Sequence, residues 1–204
     1  MDSFGQIRGH FIIILMKIKE QIESAIDVKK LMAEDLELQQ QIQKLINWCY
    51  DSLKDGGKII FAGNGGSFAD AQHLTAEFIS RLQFDRAPLA SIALGTNSSS
   101  MSAIGNDYGY DQVFAREIIA MGSEKDIFIP ITTSGNSPNI LEAVIQAKKF
   151  NIKTMGLTGS AGGNLISLCE CICVPSMRTE RIQEAHILIG HIVCGLVENL
   201  YFKK

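Results

Sequence analysis

The sequence predicts an α/β three-layer sandwich on five parallel strands, preceded by helices and closed by a long C-terminal helix. Three observations predict it. Five short apolar runs recur through residues 58–174, and helical stretches lie between most of them. Two of the runs end in loops rich in glycine, serine and threonine, each leading into a helix. Continuous apolar strands of this kind suit a parallel sheet covered on both faces.

The elements follow in order. Residues 16–31 mix apolar and charged positions at helical spacing. A second helix starts at Met32 or Ala33 and runs to Leu53, with Leu36, Leu38, Ile42, Leu45, Ile46 and Cys49 on its face; Gly56 and Gly57 stop it. Strands are expected at 58–63, 89–94, 126–131, 153–157 and 169–174, and helices at 67–82, 110–121, 137–150 and 180–202. No repeat or low-complexity linker interrupts the chain. It reads as one domain over 1–204, with a helical part at 1–57 and the sheet and its helices at 58–204.

Composition narrows the class. Hydrophobic residues make up 46% and charged residues 20%, a globular balance. The net charge of −3 and scattered basic residues argue against a nucleic-acid partner. The apolar run 11–16 is too short for a bilayer span, which needs about 20 residues, and lysines follow at Lys17 and Lys19. No membrane role is expected. Met16 is a candidate start, with the first fifteen residues a start-site artefact or a loose arm. Five cysteines without a secretory signature fit a reducing cytoplasm. Cys169, Cys171 and Cys173 alternate and would share one strand face. Zinc-type spacing is absent, so small buried residues are favoured over a metal-thiolate site.

Ligands of such sheets sit beyond the carboxyl ends of the strands. There lie Gly63-Asn64-Gly65-Gly66-Ser67 and Thr132-Thr133-Ser134-Gly135-Asn136-Ser137, the latter followed by Pro138. Glycines let backbone amides approach an anion, and the helix N-terminus adds N–H groups and a favourable dipole. Either loop alone also reads as a tight turn or a helix cap. The pair together reads as a site for a phosphorylated small molecule. Neither is a dinucleotide fingerprint or a P-loop.

The helix after the first loop carries Asp70, His73 and Glu77. His73 and Glu77, four apart, share a face and suit a metal or a substrate proton; a solvated polar face is the alternative. The closing helix carries Gln183, Glu184, His186 and His191 in an apolar setting, where both histidines read as packed core residues.

Four separated motifs occur in order: Gly63-Asn64-Gly65-Gly66-Ser67 continuing to Ala69-Asp70-Ala71-Gln72-His73; Ala103-Ile104-Gly105-Asn106-Asp107-Tyr108-Gly109; Thr133-Ser134-Gly135-Asn136-Ser137; and Arg181-Ile182-Gln183-Glu184 with His186. Together they resemble the phosphoheptose isomerase branch of the sugar-isomerase (SIS) family, over about residues 20–200. The resemblance implies the SIS fold. It implies an aldose–ketose isomerase converting D-sedoheptulose 7-phosphate to D-glycero-D-manno-heptose 7-phosphate, a step toward activated heptose for lipopolysaccharide or capsule. It also implies a cytoplasmic homotetramer with active sites shared between subunits and one zinc ion per subunit.

By the same resemblance, the metal ligands fall on His73, Glu77, Gln183 and His191, which picks His191 over His186. Phosphate ligands fall on Ser67, Thr132, Thr133, Ser134 and Ser137. Substrate contacts fall on Asn64, Gly65, Gly66, Asn106 and Asp107, with Glu77 and Gln183 also at the substrate. Glu77 is the expected base and His191 the expected acid. Three departures stand out. Glu180 lies where some relatives carry an aspartate, Thr132 where serine is common, and Phe68 where a small residue is usual. A non-catalytic SIS protein binding a sugar phosphate or a replication initiator is the alternative function.

Overall fold

The computed structural model describes residues 3–202, with side chains from residue 13. Two N-terminal helices come first, α1 (Ser3–Glu34) and α2 (Leu36–Lys54). α1 is helical well before residue 16, which corrects the expectation of a loose arm. The helical backbone carries straight through the apolar run that the sequence had set apart. Asp35 separates the helices as an N-cap, its Oδ1 accepting from the Leu38 N–H at 3.0 Å. The second helix therefore starts later than expected.

The sheet follows: β1 (Ile59–Gly63), α3 (Gly66–Ile79), β2 (Ser91–Ala93), α4 (Ser98–Tyr108), α5 (Val113–Met121), β3 (Ile127–Ile131), α6 (Pro138–Lys149), β4 (Lys153–Gly159), β5 (Glu170–Val174) and α7 (Thr179–Phe202). Every strand pairing is parallel, in the order β2-β1-β3-β4-β5. The strand order reverses between β1 and β3, the place where open α/β sheets form a crevice.

Alternation along the strands divides the core. Ile59 and Phe61 of β1, with Ile127, Ile129 and Ile131 of β3, face α1, α2, α3 and α7. Ile60, Ala62 and Phe128 face α5 and α6. α7 is long and apolar enough to cross a bilayer by composition, but Ile182, Ala185, Ile189, Val193 and Val197 are buried in the first of these layers. On β5, Ile172 and Val174 face that layer, while Cys171 and Cys169, the residue just before the strand, pack against the other with their Sγ atoms 3.9 Å apart. All five cysteines are free thiols.

Two elements depart from the sequence expectation. α3 ends at Ile79, short of residue 82, because Arg86 takes over its last carbonyls: the guanidinium donates to the oxygens of Glu77, Phe78 and Ser80 at 2.7, 2.7 and 3.1 Å. Glu198, fully buried on α7, holds Arg86 in place at 2.9 Å. α4 has no counterpart in the expectation. It buries no residue, so it lacks the apolar period that marks a helix, and its start rests on Asn97 Oδ1 accepting from Ser100 N–H at 3.0 Å.

Candidate active site

Both glycine- and serine-rich loops lie where expected, at the carboxyl ends of adjacent strands β1 and β3, each opening into a helix. In the first, Gly65 adopts φ +58° and turns the chain into α3, whose first turn buries Ser67. In the second, Thr132 Oγ1 and Ser137 Oγ are 3.1 Å apart. Ser134 Oγ accepts from the Asn136 N–H at 3.2 Å. Asn136 Oδ1 in turn accepts from the Asn164 N–H at 2.9 Å, which ties this loop to the one after β4. Thr133, Ser134 and Asn136 open onto a cavity of about 290 Å³ with Ser160, Ser176 and Thr179 on its wall. The wall is rich in hydroxyls and carries no cation, which suits a polyol phosphate held by neutral donors and helix dipoles.

The two loops are joined by side chains. Asn64 and Asn139 exchange amide hydrogen bonds, 2.9 Å each way. The Tyr110 hydroxyl donates to Asn64 Oδ1 at 3.1 Å. Asn139 and Tyr110 escaped the sequence reading. Asn139 sits just inside the helix that Ser137 and Pro138 start, and only its burial marks it as different from an ordinary helix-start asparagine.

Beside the loops, α3 and α7 pack in parallel register. A Cβ on Gly190 would lie 2.4 Å from Leu74 Cδ2, so glycine there lets the helices approach. At the same level His73 Nε2 and His191 Nε2 are 2.9 Å apart, and Glu77 Oε1 is 3.3 Å from His73 Nε2. The ligand atoms of these three residues lie within 4.8 Å of one another. Two imidazoles and a carboxylate converging in this way could hold a metal ion; the donor set is one that zinc accepts. Asp70, one turn earlier, has its pKa raised by burial, with His73 and His191 pulling it back.

Gln183 lies toward the loop end of this helix pair: its Nε2 is 2.6 Å from where a Cβ on Gly66 would stand. Along α7, Gln183 and His191 are about 12 Å apart. α7 thus places one polar group at the first loop and another at the His73–Glu77 pair. Asn106 and Asp107 lie elsewhere, on the exposed face of α4, bonded to each other at 2.8 Å over an open depression lined by Ser98, Ser99 and Ser102. His186 is buried against β4, 3.2 Å from the Thr158 carbonyl oxygen. Glu180 pairs with Arg178 at 2.9 Å. The Phe68 ring packs over Gly95, with Cε2 3.1 Å from where a Cβ there would stand.

A SIS-domain family description matches residues 20–159, which covers both loops, His73 and Glu77. A phosphoheptose isomerase of Aneurinibacillus thermoaerophilus is 50% identical over 188 residues, covering 92% of this chain and 95% of the relative. The chain belongs to the phosphoheptose isomerase family. Phosphoheptose isomerase 2 of Campylobacter jejuni is also 50% identical over 188 residues, 92% of this chain and 94% of the relative. The fold agrees as well. A phosphoheptose isomerase structure from Francisella tularensis superposes with a TM-score of 0.86 at 38% identity, covering 91% of this chain and 98% of that one. Its counterpart from Neisseria gonorrhoeae gives 0.83 at 36% identity, over 90% and 99%. Phosphoheptose isomerase likeness therefore extends beyond the 20–159 match, to about nine-tenths of the chain.

Proposed function

We propose that the protein isomerises D-sedoheptulose 7-phosphate to D-glycero-D-manno-heptose 7-phosphate through an enediol, a step that feeds activated-heptose synthesis in the cytoplasm. The observation that carries this reading is the convergence of His73, Glu77 and His191 beside two phosphate-type loops. Loops alone suit a binder as well as an enzyme. The acid–base set is what an isomerase needs in addition.

Ser67, Thr132, Thr133, Ser134 and Ser137 hold the phosphate, and Asn64, Gly65, Gly66 and Gln183 line the path of the sugar from there to the α3–α7 pair. Glu77 moves the proton between C1 and C2. Its Oε1 faces His73 Nε2, which leaves Oε2 for carbon. When its Nε2 carries a proton and no metal, His191 serves the oxygens as acid. His73, Glu77 and His191 would hold a zinc ion, and Gln183, about 12 Å along α7 from His191, would join such a set from a neighbouring subunit. Bound there, zinc supplies Lewis-acid polarisation of the sugar carbonyl.

The same reading includes a homotetramer with shared sites. Ile14, Ile18, Ile22 and Ile26 form an exposed stripe at four-residue spacing on α1, and Ile192, Leu196 and Leu200 form another on α7 beginning beside His191. Stripes of this kind ask for a partner helix. Exposed Asn106 and Asp107 would then serve a neighbouring subunit's substrate.

Incubation with sedoheptulose 7-phosphate, followed by NMR, should show a new aldose phosphate. Glu77→Gln and His191→Ala should each lower turnover by about 10²–10⁴-fold with the assembly intact. Normal rates in both would defeat the assigned roles, and no turnover by the native protein, with or without zinc, would favour a non-catalytic sugar-phosphate binder.

A further inference from the structure

We infer that Asn139 and Tyr110 are positioning residues that lock the Asn64 carboxamide in one orientation, so that it presents an N–H donor to an oxygen of the bound sugar phosphate. The inference rests on the isomerase reading, in which Asn64 touches substrate.

A carboxamide offers two acceptor lone pairs and two donor hydrogens. At Asn64 the acceptor side is full: Oδ1 receives the Asn139 Nδ2–H at 2.9 Å and the Tyr110 hydroxyl at 3.1 Å. One donor hydrogen is also used, on Asn139 Oδ1 at 2.9 Å. The other points away from Asn139. Turning the Asn64 amide over alone would set N–H against N–H and oxygen against oxygen across the pair. These three hydrogen bonds hold the plane of the Asn64 amide and, as arranged, leave one N–H for a ligand.

The partners come from different parts of the fold. Asn139 is 2% exposed, on the first turn of α6. Tyr110 stands on a single 3₁₀ turn, Tyr110–Gln112, and is 53% exposed, so its hydroxyl reaches inward from the surface. Asn64 belongs to the loop after β1. The lock thus ties the head of α3 to the head of α6 across the two strands between which the sheet order reverses. It fixes the spacing of the two phosphate-type loops as well as the orientation of one amide.

Steady-state kinetics on sedoheptulose 7-phosphate test this with Tyr110→Phe, Asn139→Ala, Asn64→Ala and the two doubles that include Asn64→Ala. Tyr110→Phe removes one exposed hydroxyl. It should lower kcat/KM by about 3- to 10-fold, the worth of one hydrogen bond, with an unchanged melting temperature. Asn139→Ala should cost more, about 10- to 100-fold, because it removes two. In the Asn64→Ala background both effects should vanish, since a residue acting through Asn64 has nothing left to act on. Should Asn139→Ala fail to fold, the Tyr110→Phe cycle decides alone. Effects that multiply in the doubles, or a Tyr110→Phe enzyme equal to wild type, overturn the positioning role while wild-type turnover leaves the isomerase reading standing. A wild type without turnover overturns that reading, and the positioning role with it.

Discussion

His186 shows what a single side chain contributes apart from chemistry. It lies five residues before His191 on the same helix, yet it faces the sheet, fully enclosed. Burial lowers its pKa from 6.5 to about 4, opposed in part by the hydrogen bond to the Thr158 carbonyl. The native state keeps it neutral down to about pH 4, whereas the unfolded chain takes up the proton near 6.5. Between those values the unfolded chain binds more protons, so this residue makes stability fall as the pH drops. Denaturant melts between pH 7 and 4 should show that decline, and His186→Phe should flatten it. An equal slope in the variant would mean that other groups carry the acid sensitivity. The contrast with His191 was not visible in the sequence. Both histidines sit in the same apolar helix, and only the resemblance to a family separated them. The physical difference is angular: one points into the core, the other across to α3.

At the scale of elements, the α3–α7 pair brings His73, Glu77 and His191 together. Its spacing depends on Gly190, where a side chain would press on Leu74, itself fully buried. Gly190→Ala should cost about 1–3 kcal/mol by overpacking. It should also weaken metal binding, because His73 and His191 belong to the levels of α3 and α7 that would be forced apart. Calorimetric melting and zinc titration check the two effects, and a variant with native affinity would show that the side chains absorb the strain. The far end of α3 is held by Arg86 and Glu198. Burial of Glu198 opposes its ionisation, but the N–H groups of Gln83 and Leu82 and the Arg86 guanidinium outweigh it and hold its pKa low. α2, α3 and α6 were legible because each alternates buried and exposed faces or carries a strong start signal. α4 was not, since a serine-rich helix without a buried face carries neither signal.

For the whole molecule, the exposed stripes of α1 and α7 make the main prediction. Leu196→Glu or Ile18→Glu should dissociate the proposed tetramer to smaller species, seen by light scattering, while the sheet stays folded. Activity should fall with dissociation if sites are shared. A monomeric variant with full activity would mean that each chain holds a complete site, and it would leave exposed Asn106 and Asp107 without a role in catalysis.

The sequence by itself determined the alternation of strands and helices, the position of both loops and the pairing of His73 with Glu77. These are local features, written in periods of two and 3.6 and in spacings of a few residues. Only the tertiary structure decided which distant groups meet. His191 lies 118 residues from His73 and Asn139 lies 75 from Asn64. Their contacts depend on how α7 lies along α3 and how β1 pairs with β3. No local pattern encodes those, because they are set by the close packing of whole elements.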